Sequence, residues 1–314
     1  MRRRTPMSRS AAGNAVIVKP HEQTSIATLK FMEVFKGLPE GLMQCLTGGP
    51  RVAQRLVASR KTHGVAYTGS VAVCQAVART CAETFKPCLI EVSGNDPLFV
   101  MPSAPLEIAA RGAAFAAYLN CGQVYPSAGR FYVQDAVHGE FVRLLVEEAK
   151  KLRIGIGLAK VDMGPMATRR QRDRCKALMA NARHQGAKGV SGGGRPANLT
   201  KGWFVKPTVL TGVTPDMDIL QNESFGPVAP ICRVTSFDVA IGLVNRSDYG
   251  LGANLYTRDT DESFVRCARL SRASCGSTRR CWTMTRCCSA AASCWATGGT
   301  WGQRDCRSSR TPNS

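Results

Sequence analysis

Residues 64–100, GVAYTGSVAVCQAVARTCAETFKPCLIEVSGNDPLFV, decide the fold. Residues 64–67 read as a short strand. Thr68-Gly69 turns the chain, and residues 70–85 carry apolar positions at helical spacing. Leu98–Val100 is apolar without a break, as in a strand buried on both faces. A strand, a helix and a second strand at this spacing predict a parallel crossover. Outward from this segment the alternation continues. Residues 15–18 and 42–47 read as strands, and 23–36 and 50–59 as helices. Downstream, 104–119 and 138–152 read as helices. Phe131–Val133, Phe204–Leu210, Val228–Val234 and Ala253–Tyr256 read as strands. The predicted class is α/β with doubly wound parallel sheets.

Charge and cysteine are distributed unevenly. The 314 residues hold 42 Lys+Arg against 22 Asp+Glu, a net charge of +20. Such an excess ordinarily points to nucleic acid or a membrane surface. Here residues 1–10 and 271–314 supply half of it, and the span between is unexceptional for a soluble enzyme. Six of the 14 cysteines and three of the four tryptophans also fall after residue 270. The remaining cysteines are scattered singly through apolar segments, as in reduced cytoplasmic thiols. No apolar run reaches the roughly 18 residues of a membrane span, and MRRRTPMSRS lacks the apolar core of a secretory signal. A cytoplasmic location with no membrane partner is expected.

The glycine-rich turns Gly37–Gly41 and Thr68–Ser70 lie where backbone N–H groups can meet a phosphate, although ordinary turns use the same residues. Neither GxGxxG nor GxxxxGK[ST] occurs. Ten ordered segments are more specific: GNAVIVKP (13–20), Glu22–Ser25, GLPEG (37–41), YTGS (67–70), IEVSG (90–94), NCGQ (120–123), Gly164-Pro165, GWFVKPTVL (202–210), ESFGPV (223–228) and NRSDYGL (245–251). Together they resemble the aldehyde dehydrogenase superfamily over residues 11–270.

That resemblance implies an incomplete cofactor domain at 11–93 and a catalytic domain at 94–270, with a basic start at 1–10 outside the match. It implies NAD as cofactor and a small aldehyde as substrate, oxidised to the acid. Lys19 and Glu22 would bond the adenosine ribose, and a carboxylate there disfavours a 2′-phosphate. Gly48 and Ser70 join the cofactor set, Ser70 meeting the pyrophosphate at the start of its helix. Glu223 would hold the nicotinamide ribose, with Phe225 beside it. Glu91 matches the general base that activates the deacylating water, a task that needs a pKa near working pH. The family forms homo-oligomers.

The sequence departs from the family where the chemistry should lie. The nucleophilic cysteine belongs two residues after Gly122-Gln123, and Tyr125 stands there. A phenol with an ordinary pKa of about 10 is protonated at neutral pH and bulky, so covalent attack should fail. Cys121, four positions upstream, reads as a packed helix cysteine. Cys74 replaces a family glycine and should crowd the dinucleotide. The family's N-terminal third, which contributes an oxyanion asparagine and oligomerisation elements, is expected to be absent, leaving a sheet edge and apolar surface bare. Residues 271–314 have no periodicity and are expected to be unstructured or the product of a shifted reading frame.

Three rival readings compete with an active enzyme. A zinc module in the tail would need CxxC-like pairs, which are missing. The arginine-rich ends could hold a polyanion weakly, without specific nucleic-acid recognition. A non-catalytic remnant that binds NAD or a partner chain fits the retained Lys19, Glu22, Ser70 and Glu223.

Overall fold

The computed structural model describes residues 13–263 and 269–270. The expectations for 1–10 and 271–314 lie outside the described residues. Two compact units are present: 13–65 with 76–88, and 66–75 with 89–263 and 269–270.

In the first unit β1 (Val16–Val18) pairs in parallel with β2 (Met43–Cys45), Val16 opposite Met43. Between them runs α1 (Ser25–Met32), flanked by 3₁₀ turns. Helix α2 (Pro50–Ala58) starts with proline at its first turn, where the missing N–H is not needed. Neither helix has a fully buried residue, and Ile26, Phe31 and Val34 are exposed. Apolar side chains of α1 are therefore bare.

Strand β3 (Val65–Gly69), helix α3 (Val71–Ala82) and strand β4 (Cys88–Val92) follow, with β3 and β4 paired. The second unit then builds a six-stranded sheet. Its strands and helices are β5 (Asp96–Val100), α4 (Leu106–Tyr118), β6 (Ala128–Gln134), α5 (Asp135–Lys151), α6 (Arg169–His184), β7 (Lys188–Ser191), β8 (Thr208–Val213), α7 (Asp218–Gln221), β9 (Val228–Val234), α8 (Phe237–Asn245) and β10 (Asn254–Tyr256). The order is β10-β5-β6-β9-β8-β7, parallel except for β7 against β8. The predicted α/β class with parallel sheets is what the chain forms.

Packing explains the assignments. All five residues of β5 are buried, as the apolar run Leu98–Val100 predicts for its second half. Phe99 stacks on Tyr132 at 5.8 Å and meets Phe237 edge-on at 5.3 Å. Burying such a ring contributes roughly 1.5–3 kcal/mol. Helix α4 buries Ala109, Ala110, Ala113, Ala114 and Ala117, so its backbone can approach its neighbours closely. Helix α5 buries Phe141, Leu145 and Ala149 at a four-residue spacing and pairs Arg143 with Glu140 and Glu147 outside. Residues 204–207 are irregular, and β8 begins at Thr208 instead of Phe204, because Pro207 has no N–H for a ladder and Lys206 N–H bonds the Gly194 carbonyl.

Because β5, β6, β9 and β10 run in one direction, their beginnings share an edge of the sheet. The loops feeding that edge are 93–95, 120–127, 223–227 and 249–253.

Candidate active site

The feeding loops converge around Gly94. A Cβ there would lie 2.8 Å from Leu251 Cδ2, 3.1 Å from the Tyr125 carbonyl oxygen and 3.3 Å from Asp96 Oδ1. Ser93 N–H donates to the Gly69 carbonyl at 3.1 Å, which ties the end of β4 to the turn carrying Ser70. Ser70 itself is exposed ahead of α3, and its carbonyl takes Cys74 N–H at 2.9 Å.

Glu223 enters the same cluster. Burial pushes its carboxyl up to about 7, against a Ser93 hydrogen bond, the Arg174 charge and the Gly94 N–H that pull it down; the Asp96 charge adds to the rise. Its own N–H donates to Tyr249 Oη at 3.3 Å. Phe225 follows with φ +44°, a left-handed conformation uncommon for a bulky residue. Gln171 Nε2 holds the carbonyls of Ser224 and Phe225, each at 3.2 Å.

The 120–125 loop is strained. Asn120, Cys121 and Gly122 have φ of +49°, +60° and +69° in succession. Such conformations cost about 1 kcal/mol or more for each non-glycine residue and cluster at functional sites. A Cβ on Gly122 would overlap the Gly226 carbonyl and sit 2.9 Å from the Ala117 oxygen. The loop is locked reciprocally: Asn120 Nδ2 donates to the Gln123 carbonyl at 3.1 Å, and Gln123 Nε2 to the Asn120 carbonyl at 3.4 Å. Gln123 Oε1 also accepts Ala167 N–H at 3.1 Å. Tyr125, half-buried, ends this loop.

Cys121 is not poised to react. It is 1% exposed, and burial, aided by the neighbouring Cys175, pushes its thiol up to about 12. Cys74 is also buried, and its Sγ donates to the carbonyls of Gly69 at 3.4 Å and Glu91 at 3.6 Å. The side chain thus packs beneath the β3 and β4 ends. Glu91 is half-buried on β4, two residues before Ser93.

Sequence reasoning overlooked a buried polar group beside this cluster. Asp96 is 3% exposed; burial pushes its carboxyl up to about 7, against the Gly252 N–H at 2.9 Å and the Arg130 charge. Arg130, 2% exposed on β6, donates through Nε to the Asn95 carbonyl at 2.6 Å. Asn95 Nδ2 donates to the Leu220 carbonyl at 3.1 Å, and its Oδ1 has no partner among the described residues. The available signal was a charge at each of two positions inside apolar strands.

In the first unit the structure brings together three other predicted residues. Lys19 Nζ lies 3.2 Å from Glu22 Oε1. The Glu22 carboxyl is held below its usual range by a backbone hydrogen bond and then by Lys19. Gly49 faces it: a Cβ there would lie 3.8 Å from Glu22 Oε1. Gly48, with φ +142°, has no room for a side chain, since a Cβ would sit 3.2 Å from Val52 Cβ and closer still to its methyl. The result is an open carboxylate beside a glycine turn that starts α2, a setting suited to a sugar diol.

The strand beginnings of this α/β sheet thus gather a strained loop, a half-buried glutamate and a tyrosine. The family model described as "Aldehyde dehydrogenase family" matches residues 7–281. An aminoaldehyde dehydrogenase of Arabidopsis thaliana is 34% identical over 267 residues, covering 84% of this chain and 52% of that one. A betaine aldehyde dehydrogenase of Brucella anthropi is 36% identical, covering 79% and 52%. Among solved structures, the NAD+ complex of a Bacillus cereus aldehyde dehydrogenase superposes with a TM-score of 0.80 at 32% identity, covering 83% and 53%. An NADP-dependent enzyme of E. coli gives 0.81 at 30%, covering 85% and 56%. The chain belongs to the aldehyde dehydrogenase family, and it spans about half the length of the curated relatives it matches. Among the described residues no helix is long and apolar enough to cross a membrane.

Proposed function

We propose that this chain carries the cofactor-binding and catalytic residues of an NAD-dependent aldehyde dehydrogenase, and that the substitution at Tyr125 leaves it binding NAD without oxidising aldehyde. When bound, NAD supplies the hydride acceptor for aldehyde oxidation. Lys19 and Glu22 would take the hydroxyls of the adenosine ribose, with the Gly48-Gly49 turn giving them room. Glu22 is ionised at neutral pH, so a 2′-phosphate meets a like charge, which favours NAD over NADP. Ser70 would donate to a pyrophosphate oxygen. Glu223 would orient the nicotinamide ribose, with Phe225 beside it, and Glu91 would serve as the base for a hydrolytic water.

The observation that carries the impairment is the 120–125 loop. Its position two residues after Gly122-Gln123 holds a phenol, and the nearest thiol, Cys121, is buried and pushed up to about 12. A thiol at that value is almost entirely protonated at neutral pH, so it cannot stand in as nucleophile. The dispersed cysteines are free among the described residues, which suits a reducing compartment; we take this to be the cytoplasm, although relatives include chloroplastic and peroxisomal forms. A homo-oligomer is the family expectation that we carry over.

Calorimetric titration with NAD and NADP, alongside NADH formation from aminoaldehydes and betaine aldehyde, tests the reading. Expected results are NAD binding weakened about tenfold by Glu22→Ala, weaker binding of NADP, and no turnover. Aldehyde-dependent NADH formation that survives Cys121→Ala would sink the proposed impairment. Absence of NAD binding would sink the cofactor assignment.

A further inference from the structure

Helix α6 reads RRQRDRCKALMANARH, with one carboxylate among its basic residues. Arg172, Lys176 and Arg183 stand four and seven positions apart, so they share a face. Beside them lies an open cavity of about 100 Å³ that Arg172, Lys176 and Arg195 line together with Gly193, Gly194 and Phe204. No carboxylate lines it.

Each cation is held differently. The Arg172 guanidinium lies 4.8 Å over the Trp203 ring and forms a salt bridge with Asp173 Oδ1, through Nε at 2.8 Å and Nη2 at 2.5 Å, which fixes its plane and leaves Nη1 for a ligand. Arg195 donates to the carbonyls of Leu199 and Gly202, neutral acceptors that orient it without cancelling its charge. Lys176 has no ion pair among the described residues. Arg183 presses against the glycine turn: a Cβ on Gly189 would lie 3.0 Å from its Nη2, and one on Gly193 would overlap it. Gly192 and Gly193, with φ of +77° and +83°, form a turn that only glycine tolerates easily, so the backbone can come this close. The Lys206 N–H to Gly194 carbonyl bond at 2.8 Å and the Gly193 N–H to Thr208 Oγ1 bond at 2.9 Å fix that turn.

Asp173 offsets the charge of Arg172, but Lys176 and Arg195 bring two more cations into the same cavity, where like charges repel by a few tenths of a kcal/mol. An anion placed among them converts that repulsion into charge-assisted hydrogen bonds, and planar guanidinium forks suit oxyanions. We propose that this cavity binds a phosphate-class oxyanion, either free or as the phosphoryl group of a small metabolite, held by Arg172, Lys176 and Arg195. Its lining includes none of the residues assigned to the cofactor, so it does not depend on the cofactor assignment.

The test is calorimetric titration of the full chain with inorganic phosphate and, in a second arm, glycerol phosphate, at an ionic strength held constant with chloride. Saturable one-site binding is expected, weakened about tenfold or more by Lys176→Ala and by Arg195→Ala, and unchanged by Ser70→Ala. Lys176→Met, which keeps the stem, replaces Lys176→Ala if the latter lowers the melting temperature. Binding of both ligands, or of glycerol phosphate alone, assigns the site to a phosphoryl group; binding of phosphate alone assigns it to the free anion. No saturable binding in either arm overturns the proposal. So does binding that both basic-residue variants retain, or that Ser70→Ala abolishes.

Discussion

Replacing Glu223 with glutamine should flatten the pH dependence of stability between about pH 4.5 and 7. Glu223 rises from an ordinary 4.5 to about 7 in the folded protein, chiefly because burial strips water from its charge. The folded state therefore holds a proton at pH 5–6 that the unfolded chain has released. Stability from this group is fully present below about 4.5 and is lost as pH rises through about 7. At about 1.4 kcal/mol for each tenfold change in proton affinity, the difference between pH 5 and pH 8 is about 2–3 kcal/mol. Asp96, also pushed up to about 7, adds a slope of the same sign. It remains in the variant, so the difference between the two proteins reports Glu223 together with its charge coupling to Asp96.

Urea unfolding followed by circular dichroism at pH 5, 6, 7 and 8 measures this. The wild-type chain should lose stability across the series, and Glu223→Gln should lose about 2–3 kcal/mol less. Glutamine keeps the size of the side chain and can still accept from Ser93 and Gly94, so packing changes little. If the two proteins show the same slope, burial does not control this carboxyl, and its role as a poised group in the site falls with it.

Other perturbations have equally direct outcomes. Gly122→Ala places a methyl into the Gly226 carbonyl on a left-handed backbone, and should cost on the order of 4 kcal/mol or prevent folding, read by thermal melting. Arg130→Met leaves Asp96 without its buried cation; about 3–5 kcal/mol should be lost at pH 8 and less at pH 6, where Asp96 can take a proton instead. Alkylation with iodoacetamide at pH 8, read by mass spectrometry, should modify exposed Cys88 rapidly and leave Cys121 and Cys175 untouched until the chain is unfolded.

How much of this was legible in the sequence follows from which interactions are local. Strand β9 lies at Val228–Val234, where its apolar residues predict it, even though Pro230 and the exposed Arg233 interrupt the run. Strand β7 (Lys188–Ser191) and helix α6 went unread. The first is a short edge strand with little apolar content, and the second buries only Cys175, Met179 and Ala182 beneath a basic surface. Motif resemblance named Lys19, Glu22 and Glu223, since each sits in a short recurring segment. Asp96 and Arg130 escaped because their meaning comes from a pairing across strands 34 positions apart, which no local pattern encodes. The left-handed run at Asn120–Gly122 escaped for the same reason: it is imposed by Gly226, far along the chain.

The geometry of that loop bears on whether Tyr125 is the decisive change. Asn120 and Gln123 close the loop on each other, Gln123 anchors it to Ala167, and Gly122 seats it against Gly226. These bonds and this close approach hold the loop between Asn120 and Gln123 in its left-handed shape. A left-handed cysteine and asparagine carry a strain of about 1 kcal/mol or more each, which a loop without function would be free to shed. On the proposed reading, Tyr125→Cys should place a reactive thiol at the end of this strained loop. Titration of that thiol with a disulfide reagent across pH 5–9 reads the outcome: a new group that reacts faster than Cys88 marks a preformed site, whereas reactivity no greater than that of a surface cysteine means that the loop's shape has lost its chemical purpose.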